Sequence, residues 1–107
     1  MLDAFRKRET AFENKFAYDE ELRFKIQSRR DWLFGQWAAK EMGYAGLAVE
    51  IYAKELVELD IECVGDEEVI QKVCGDFADH KRFIPIDELR RIYDKLWGDA
   101  KRQIMAH

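Results

Sequence analysis

A single proline, Pro85, and 6 glycines are spread over 107 residues, so the punctuation that divides a chain into short strands and turns is nearly missing. Between these breakers the apolar residues return at steps of three and four, the period of one face of a helix. The chain is therefore predicted to be all-α. Its C-terminal part is the clearest case: Leu89, Ile92, Tyr93, Leu96, Ala100 and Ile104 share a face. Asp87 and Glu88 follow Pro85 in the expected first turn, where carboxylates complement the positive end of the helix dipole. Upstream, Asp66 can cap a shorter helix carrying Val69, Ile70, Val73 and Phe77 and ending near Asp79, and His80 to Pro85 forms the connection. A further helix is expected over Ala45 to Leu59, with Ala48, Val49, Tyr52, Leu56 and Leu59 on or near its apolar side, preceded by a turn marked by Gly43 and Gly46. The longest helix is expected from Asp19 to about Met42. Asp19 suits its cap, Glu20 and Glu21 its first turn, and Leu22, Ile26, Leu33 and Trp37 its stripe, with Glu21 and Lys25 paired at i, i+4. Gly35 inside it costs about 1 kcal/mol relative to Ala and points to a bend or to close approach of a neighbouring helix.

Four stripes joined by connections of a few residues bury themselves best in a small four-helix bundle, residues 19–107. Hydrophobic residues at 48% supply one core, and charged residues at 37% an ionic surface. No internal repeat or low-complexity tract is present. The longest apolar run, Trp32 to Ala39, is interrupted by Gln36 and falls far short of the ~18 to 20 residues of a membrane span. The first eight residues, Met1 to Arg8, lack the apolar stretch of a secretory signal, so a soluble, cytoplasmic protein without direct membrane insertion is expected. Cys63 and Cys74 have no second pair to complete a zinc motif and read as small reduced hydrophobes.

The net charge of -4 is unevenly spread: residues 1–30 hold eight basic side chains against six acids, and the remainder ten against sixteen. So small a basic excess does not mark a nucleic-acid binder. Arg29-Arg30 beside Trp32 could contact phosphate and stack on a base, which keeps a small helical adaptor or nucleic-acid-binding module as the alternative function. The flanking Asp31 favours an ordinary solvated surface instead. Catalysis has little support. The two histidines, His80 and His107, fall in a loop and at the terminus, and there is no phosphate-binding glycine loop, HExxH pair or Ser-His-acid ordering. No His, Cys and carboxylate cluster has metal-ligand spacing, and Trp37, Trp97, Tyr44, Tyr52 and Tyr93 read as core aromatics.

The segment before Asp19 carries the functional information. It has no Pro or Gly, and Leu2, Phe5, Phe12 and Phe16 fall in one sector when wound at 100° per residue. It reads as an amphipathic arm, residues 1–18, disordered or partly helical when free; a fifth helix packed on the bundle is the plainer alternative. Ordering seventeen residues costs at least ~1 kcal/mol each in backbone entropy, whereas burying a Phe returns only ~1.5 to 3 kcal/mol. A groove that orders the arm must therefore add polar contacts, which Arg8, Glu9, Glu13 and Lys15 are spaced to make.

Phe5, the pair Arg8-Glu9, and the run Ala11-Phe12-Glu13-Asn14-Lys15-Phe16-Ala17-Tyr18-Asp19-Glu20-Glu21-Leu22-Arg23-Phe24-Lys25 resemble the start of the zeta subunit, the small inhibitor of bacterial F-type ATP synthases. The resemblance continues through Arg29-Arg30, Leu33, Gly35, Trp37-Ala38-Ala39, Tyr52-Ala53-Lys54 and Gly65-Asp66-Glu67, and so covers nearly the whole chain. It implies a four-helix domain whose flexible arm inserts, as a helix, at a catalytic interface between the alpha and beta subunits of the ATPase head, with gamma as a further neighbour, and stops rotation in the hydrolysis direction. Carried onto this chain, it makes Phe5, Phe12 and Phe16 apolar anchors and Arg8, Glu9, Glu13 and Lys15 register-setting contacts. It implies no required cofactor, only weak binding of ADP or ATP. Arg6 and Lys7 stand where the family often has acids, so this arm is the more basic.

Overall fold

The computed structural model describes residues 2–63 and 65–106, with side chains described from Glu20 onward. Four helices follow one another: α1 (Leu2–Glu41), α2 (Leu47–Glu62), α3 (Glu67–Asp79) and α4 (Ile86–Met105). The all-helical class and the number of bundle helices agree with the apolar periodicity. The expected start near Asp19 does not appear as a break, because the backbone of α1 is helical from Leu2. A stretch free of Pro and Gly offers nothing to stop a helix there, and Asp19-Glu20-Glu21 interrupts neither the hydrogen-bond ladder nor φ.

α1 is the spine. It packs along α2 and α4, and α3 closes the bundle against α4, α2 and α1. The core joins Phe34, Ala38 and Ala39 of α1 to Val49, Tyr52 and Leu56 of α2, Val69, Ile70, Val73 and Phe77 of α3, and Leu89 and Tyr93 of α4. Phe34 is its centre, edge-on to Tyr93 at 5.0 Å between centroids and stacked on Trp37 at 5.8 Å. The buried line of α1 is Ile26, Arg30, Phe34 and Ala38, one position on from the expected Leu33 and Trp37, which are half-buried at its margin. On α2, Ala48 is exposed, while Val49, Tyr52 and Leu56 are buried as expected. The turn between α1 and α2 uses Gly43 at φ 91 and Gly46 at φ 62, a left-handed backbone that a β-carbon disfavours.

Gly35 is buried, and its place in mid-helix has a steric cause. A β-carbon there would stand 2.5 Å from the Cα of Ala53 and 3.2 Å from Cδ1 of Leu56, so α1 and α2 cross with backbone nearly against backbone. The loss of helix propensity at Gly35 is offset by this approach, which brings Phe34 and Ala38 within reach of the α2 stripe.

Two glycine substitutions separate the effects. Gly35→Ala is expected to destabilise the protein by about 1–3 kcal/mol through overpacking, although Ala is the better helix former. Gly75→Ala on α3, where an added β-carbon meets nothing within 4 Å, is expected to stabilise by about 0.5–1 kcal/mol. Urea unfolding followed by circular dichroism measures both; equal signs would show that the crossing does not depend on Gly35.

Candidate functional site

The seven residues assigned from sequence to partner binding, Phe5, Arg8, Glu9, Phe12, Glu13, Lys15 and Phe16, lie outside the residues whose side chains are described. What the structure does place is the root from which that segment leaves the bundle, Glu20 to Phe34 of α1. The root is held by a polar cluster that draws on α2, on α4 and on the residue before α3.

Arg30 and Asp31 are its centre. Arg30 is only 6% exposed and Asp31 only 1%, against the expectation that Arg29-Arg30 form a solvated basic surface. The guanidinium of Arg30 pairs with Asp66 at 2.9 Å and lies over the rings of Tyr93, 3.9 Å to centroid, and Trp97, 5.1 Å. Asp66 is the residue before α3, yet its side chain makes no capping hydrogen bond: the carboxylate that should cap α3 is turned to Arg30. The Tyr93 hydroxyl donates to Asp31 Oδ1 at 2.5 Å, and Gln27 Nε2 donates to Asp60 Oδ2 at 2.7 Å. Desolvation, then the charge of Asp31, pushes the Tyr93 hydroxyl well above its ordinary value, so it stays a donor. Within the described residues, Arg30 Nε, Asp31 Oδ2 and Asp60 Oδ1 are buried without a hydrogen-bond partner. One cluster thus joins α1 to α2 through Asp60, to the start of α3 through Asp66, and to α4 through Tyr93 and Trp97.

A sequence signal for this cluster existed. Arg30 stands at i+4 from Ile26 and i−4 from Phe34, and Asp60 at i+4 from Leu56, so each charged residue interrupts an apolar stripe. The burial of Arg30 also dissolves the dibasic pair on which the nucleic-acid alternative rested, since only Arg29 of the two is exposed.

A second polar junction ties α2 to α3. Tyr52 donates to Asp76 Oδ2 at 2.7 Å, and Lys72 reaches the same oxygen at 3.1 Å. Desolvation and the hydrogen bond to Asp76 push the Tyr52 hydroxyl far up. On the outside, an open groove of about 350 Å³ runs between Phe24, Trp32, Val57 and Ile104, with Lys25 and Arg29 at its edge. Phe24 and the nearby Ile61 are more than half exposed. His80 is exposed, its ring nitrogen at 2.8 Å from the Asp76 carbonyl at the end of α3. Among the described residues no group of three or more His, Cys, Asp and Glu is arranged to hold a metal ion, and no helix is long and apolar enough to cross a membrane.

Tyr93→Phe keeps the ring that stacks on Arg30 and removes only the donor to Asp31. It is expected to cost about 1–3 kcal/mol, the penalty for leaving a buried acceptor unpaired, as read in urea unfolding at neutral pH. A loss below ~0.5 kcal/mol would show that the hydrogen bond contributes nothing.

Comparison with known proteins bears on the whole chain. A protein solved by solution NMR is similar in fold, with a TM-score of 0.70 and 38% sequence identity over 79% of this chain and 96% of that one. No curated protein matches the sequence. The family model described as ATPase inhibitor subunit zeta matches residues 2–103, spanning the N-terminal segment and all four helices. The chain belongs to the ATPase inhibitor subunit zeta family.

Proposed function

We propose that this protein inhibits ATP hydrolysis by the F-type ATP synthase by inserting residues 1–18 into an alpha/beta catalytic interface of the catalytic head. The observation that carries the reading is the reach of the family match, which begins at residue 2 and takes in the N-terminal segment along with the bundle. The mechanism needs no chemistry from the inhibitor. A catalytic interface opens and closes in each cycle, and a helix seated in it stabilises one conformation and raises the barrier to the next. Phe5, Phe12 and Phe16 are the apolar anchors in this scheme, and Arg8, Glu9, Glu13 and Lys15 fix the register. The bundle, held on the cytoplasmic face through its host, gives the arm a rigid root at Glu20 to Phe34. Alpha and beta are the principal partners, and gamma the neighbour against which rotation is blocked.

Removal of residues 1–17 is expected to leave the four-helix domain folded and to abolish inhibition of ATP hydrolysis by the isolated catalytic head. Phe12→Ala with Phe16→Ala is expected to weaken inhibition at least tenfold, since each lost anchor contributes about 1.5–3 kcal/mol. The measurement is a titration of hydrolysis against inhibitor concentration, with circular dichroism as the control for folding. A truncated protein that inhibits with an unchanged curve would remove the arm from the mechanism.

Weak binding of ADP or ATP belongs to the same proposal. Its best host is the groove beside Trp32 and Phe24, where an aromatic face can stack a purine and Lys25 and Arg29 can meet phosphates. Adding ADP is expected to shift the amide resonances of residues 24–32, and Trp32→Ala to abolish those shifts; shifts confined to other helices would place the nucleotide elsewhere.

A further inference from the structure

Asp31 and Asp60 present a problem of hydrogen-bond accounting. Asp31 Oδ1 accepts from Tyr93 and Asp60 Oδ2 accepts from Gln27, while the remaining oxygens, Asp31 Oδ2 and Asp60 Oδ1, are buried and reached by no donor of the protein. Two ionised carboxylates in that arrangement would bury like charges side by side, each short of a donor, which desolvation and mutual repulsion both oppose. One added proton resolves both deficits. Asp31 in its acid form donates from Oδ2 to Asp60 and still accepts from Tyr93 at Oδ1, so the chain Tyr93, Asp31, Asp60 closes with every oxygen used.

We propose that Asp31 and Asp60 form a proton-binding site, a carboxylic acid donating to a carboxylate, that clamps the root of α1 to α2 and releases it when the proton is lost. Facing the pair, from α1 comes Arg30, whose charge opposes protonation but is already engaged by Asp66; from α2 comes Asp60 itself; from α4 comes Tyr93, which donates to Asp31. Asp66, ahead of α3, meets the pair only through Arg30. Gln27 and Ser28 are neutral. Burial first, and then the hydrogen bond to Asp60, push the Asp31 carboxyl up to about 9, against the favourable pull of Tyr93 and Arg30. A cleft of about 200 Å³ bounded by Phe24, Ser28, Val57 and Ile61 reaches both carboxyl groups and gives the proton a path to solvent.

The sign of the effect follows from linkage. With its carboxyl pushed up to about 9, Asp31 keeps its proton in the folded chain over the range in which the unfolded chain, with the ordinary carboxyl value of 3.8, has lost it. Folding therefore takes up a proton in that window, and this contribution to stability, complete below the unfolded value, declines by about tenfold in the folding constant per pH unit until pH 9, above which it is exhausted. Asn at position 31 imitates the acid form, since its carbonyl can accept from Tyr93 and its amide can donate to Asp60.

The test uses the full-length chain, its Asp31→Asn variant and its Asp60→Asn variant, unfolded by urea from pH 5 to 9. The folding constant of Asp31→Asn relative to that of the parent is expected to rise about tenfold per pH unit between pH 5 and 8, so that the variant is the more stable protein at pH 8. Asp60→Asn removes both the acceptor and the neighbouring charge and is expected to move the Asp31 carboxyl titration, followed by carbon NMR, to lower pH. Amide exchange corrected for its intrinsic pH dependence should show α1 residues 20–33 and α2 residues 56–62 opening as pH approaches 9 in the parent and not in Asp31→Asn. Parallel stability profiles for parent and Asp31→Asn would overturn the proposal. So would restoration of the parent's stability at pH 9 by millimolar calcium, which would make the site's ligand a metal cation. These measurements do not involve the ATPase, so the proton site and the inhibitory arm can fail separately. The consequence for inhibition rests on the arm reading, and a loss of inhibition on alkalinisation that Asp31→Asn prevents would join the two.

Discussion

The structure turns on how closely α1 approaches α2. At Gly35 the two helices meet with only van der Waals contact between main chains, and that distance sets the depth of everything alongside it. Phe34 reaches the centre of the core and touches Tyr93 of α4; Ala38 and Ala39 are small enough to be covered completely. Four residues toward the N-terminus from Phe34, the same crossing carries Arg30 beneath the surface, where its charge must find a partner. It finds one in Asp66, so the α3 N-terminus forgoes its side-chain cap and the bundle gains a link from α1 to the α2–α3 connection. A steric fact about one glycine is thus coupled to the polar cluster at the arm's root.

That cluster exchanges stability for definition. A network in which Arg30, Asp31, Asp60 and Tyr93 are buried, with Gln27 and Asp66 half-buried at its edge, is a weaker source of folding energy than the same volume of Leu and Phe, because each buried charged or polar group gives up water on entry. What it adds is register. The hydrogen bond from Gln27 to Asp60 is made in one alignment of α1 with α2, and that from Tyr93 to Asp31 in one alignment of α1 with α4.

How much of this was legible follows from the range of the physics. Helix periodicity and the Gly43 to Gly46 turn are local properties, so the four bundle helices could be read from neighbouring residues, whereas Gly35 read equally as a bend or a close approach until Ala53 and Leu56 were placed against it. The family was legible too, because Phe12-Glu13-x-Lys15-Phe16 and the residues that follow form a continuous pattern. Burial of Arg30 and Asp31 was not, since their partners lie at positions 60, 66 and 93 and only the folded chain brings them together. Asp66 shows the same limit: it had the right identity and position for a helix cap, and a distant guanidinium took its carboxylate instead. The start of α1 differs from the expected Asp19 for another reason. Asp19-Glu20-Glu21 is a good beginning for a helix, but a good beginning does not prevent the helix from starting earlier, and only Pro or Gly would have done so.

The continuity of α1 alters the energetic problem posed by the arm. An isolated eighteen-residue helix has to form its first turn unaided, and the nucleation factor of about 10⁻³ corresponds to roughly 4 kcal/mol. A segment joined in register to the root at Glu20 to Phe34 does not face that step, because the root supplies a formed turn and each further residue adds one hydrogen bond as it is fixed. With propagation near unity per residue, modest contacts in a cleft would in the proposed mechanism be sufficient to hold the extension of α1 helical. In the proposed mechanism Phe5, Phe12 and Phe16, which could not order an independent segment, become adequate anchors for one grown from a rigid stem. In the proposed mechanism the polar cluster would serve inhibition at a distance, since whatever holds the stem firm lowers the cost of the helix that extends from it.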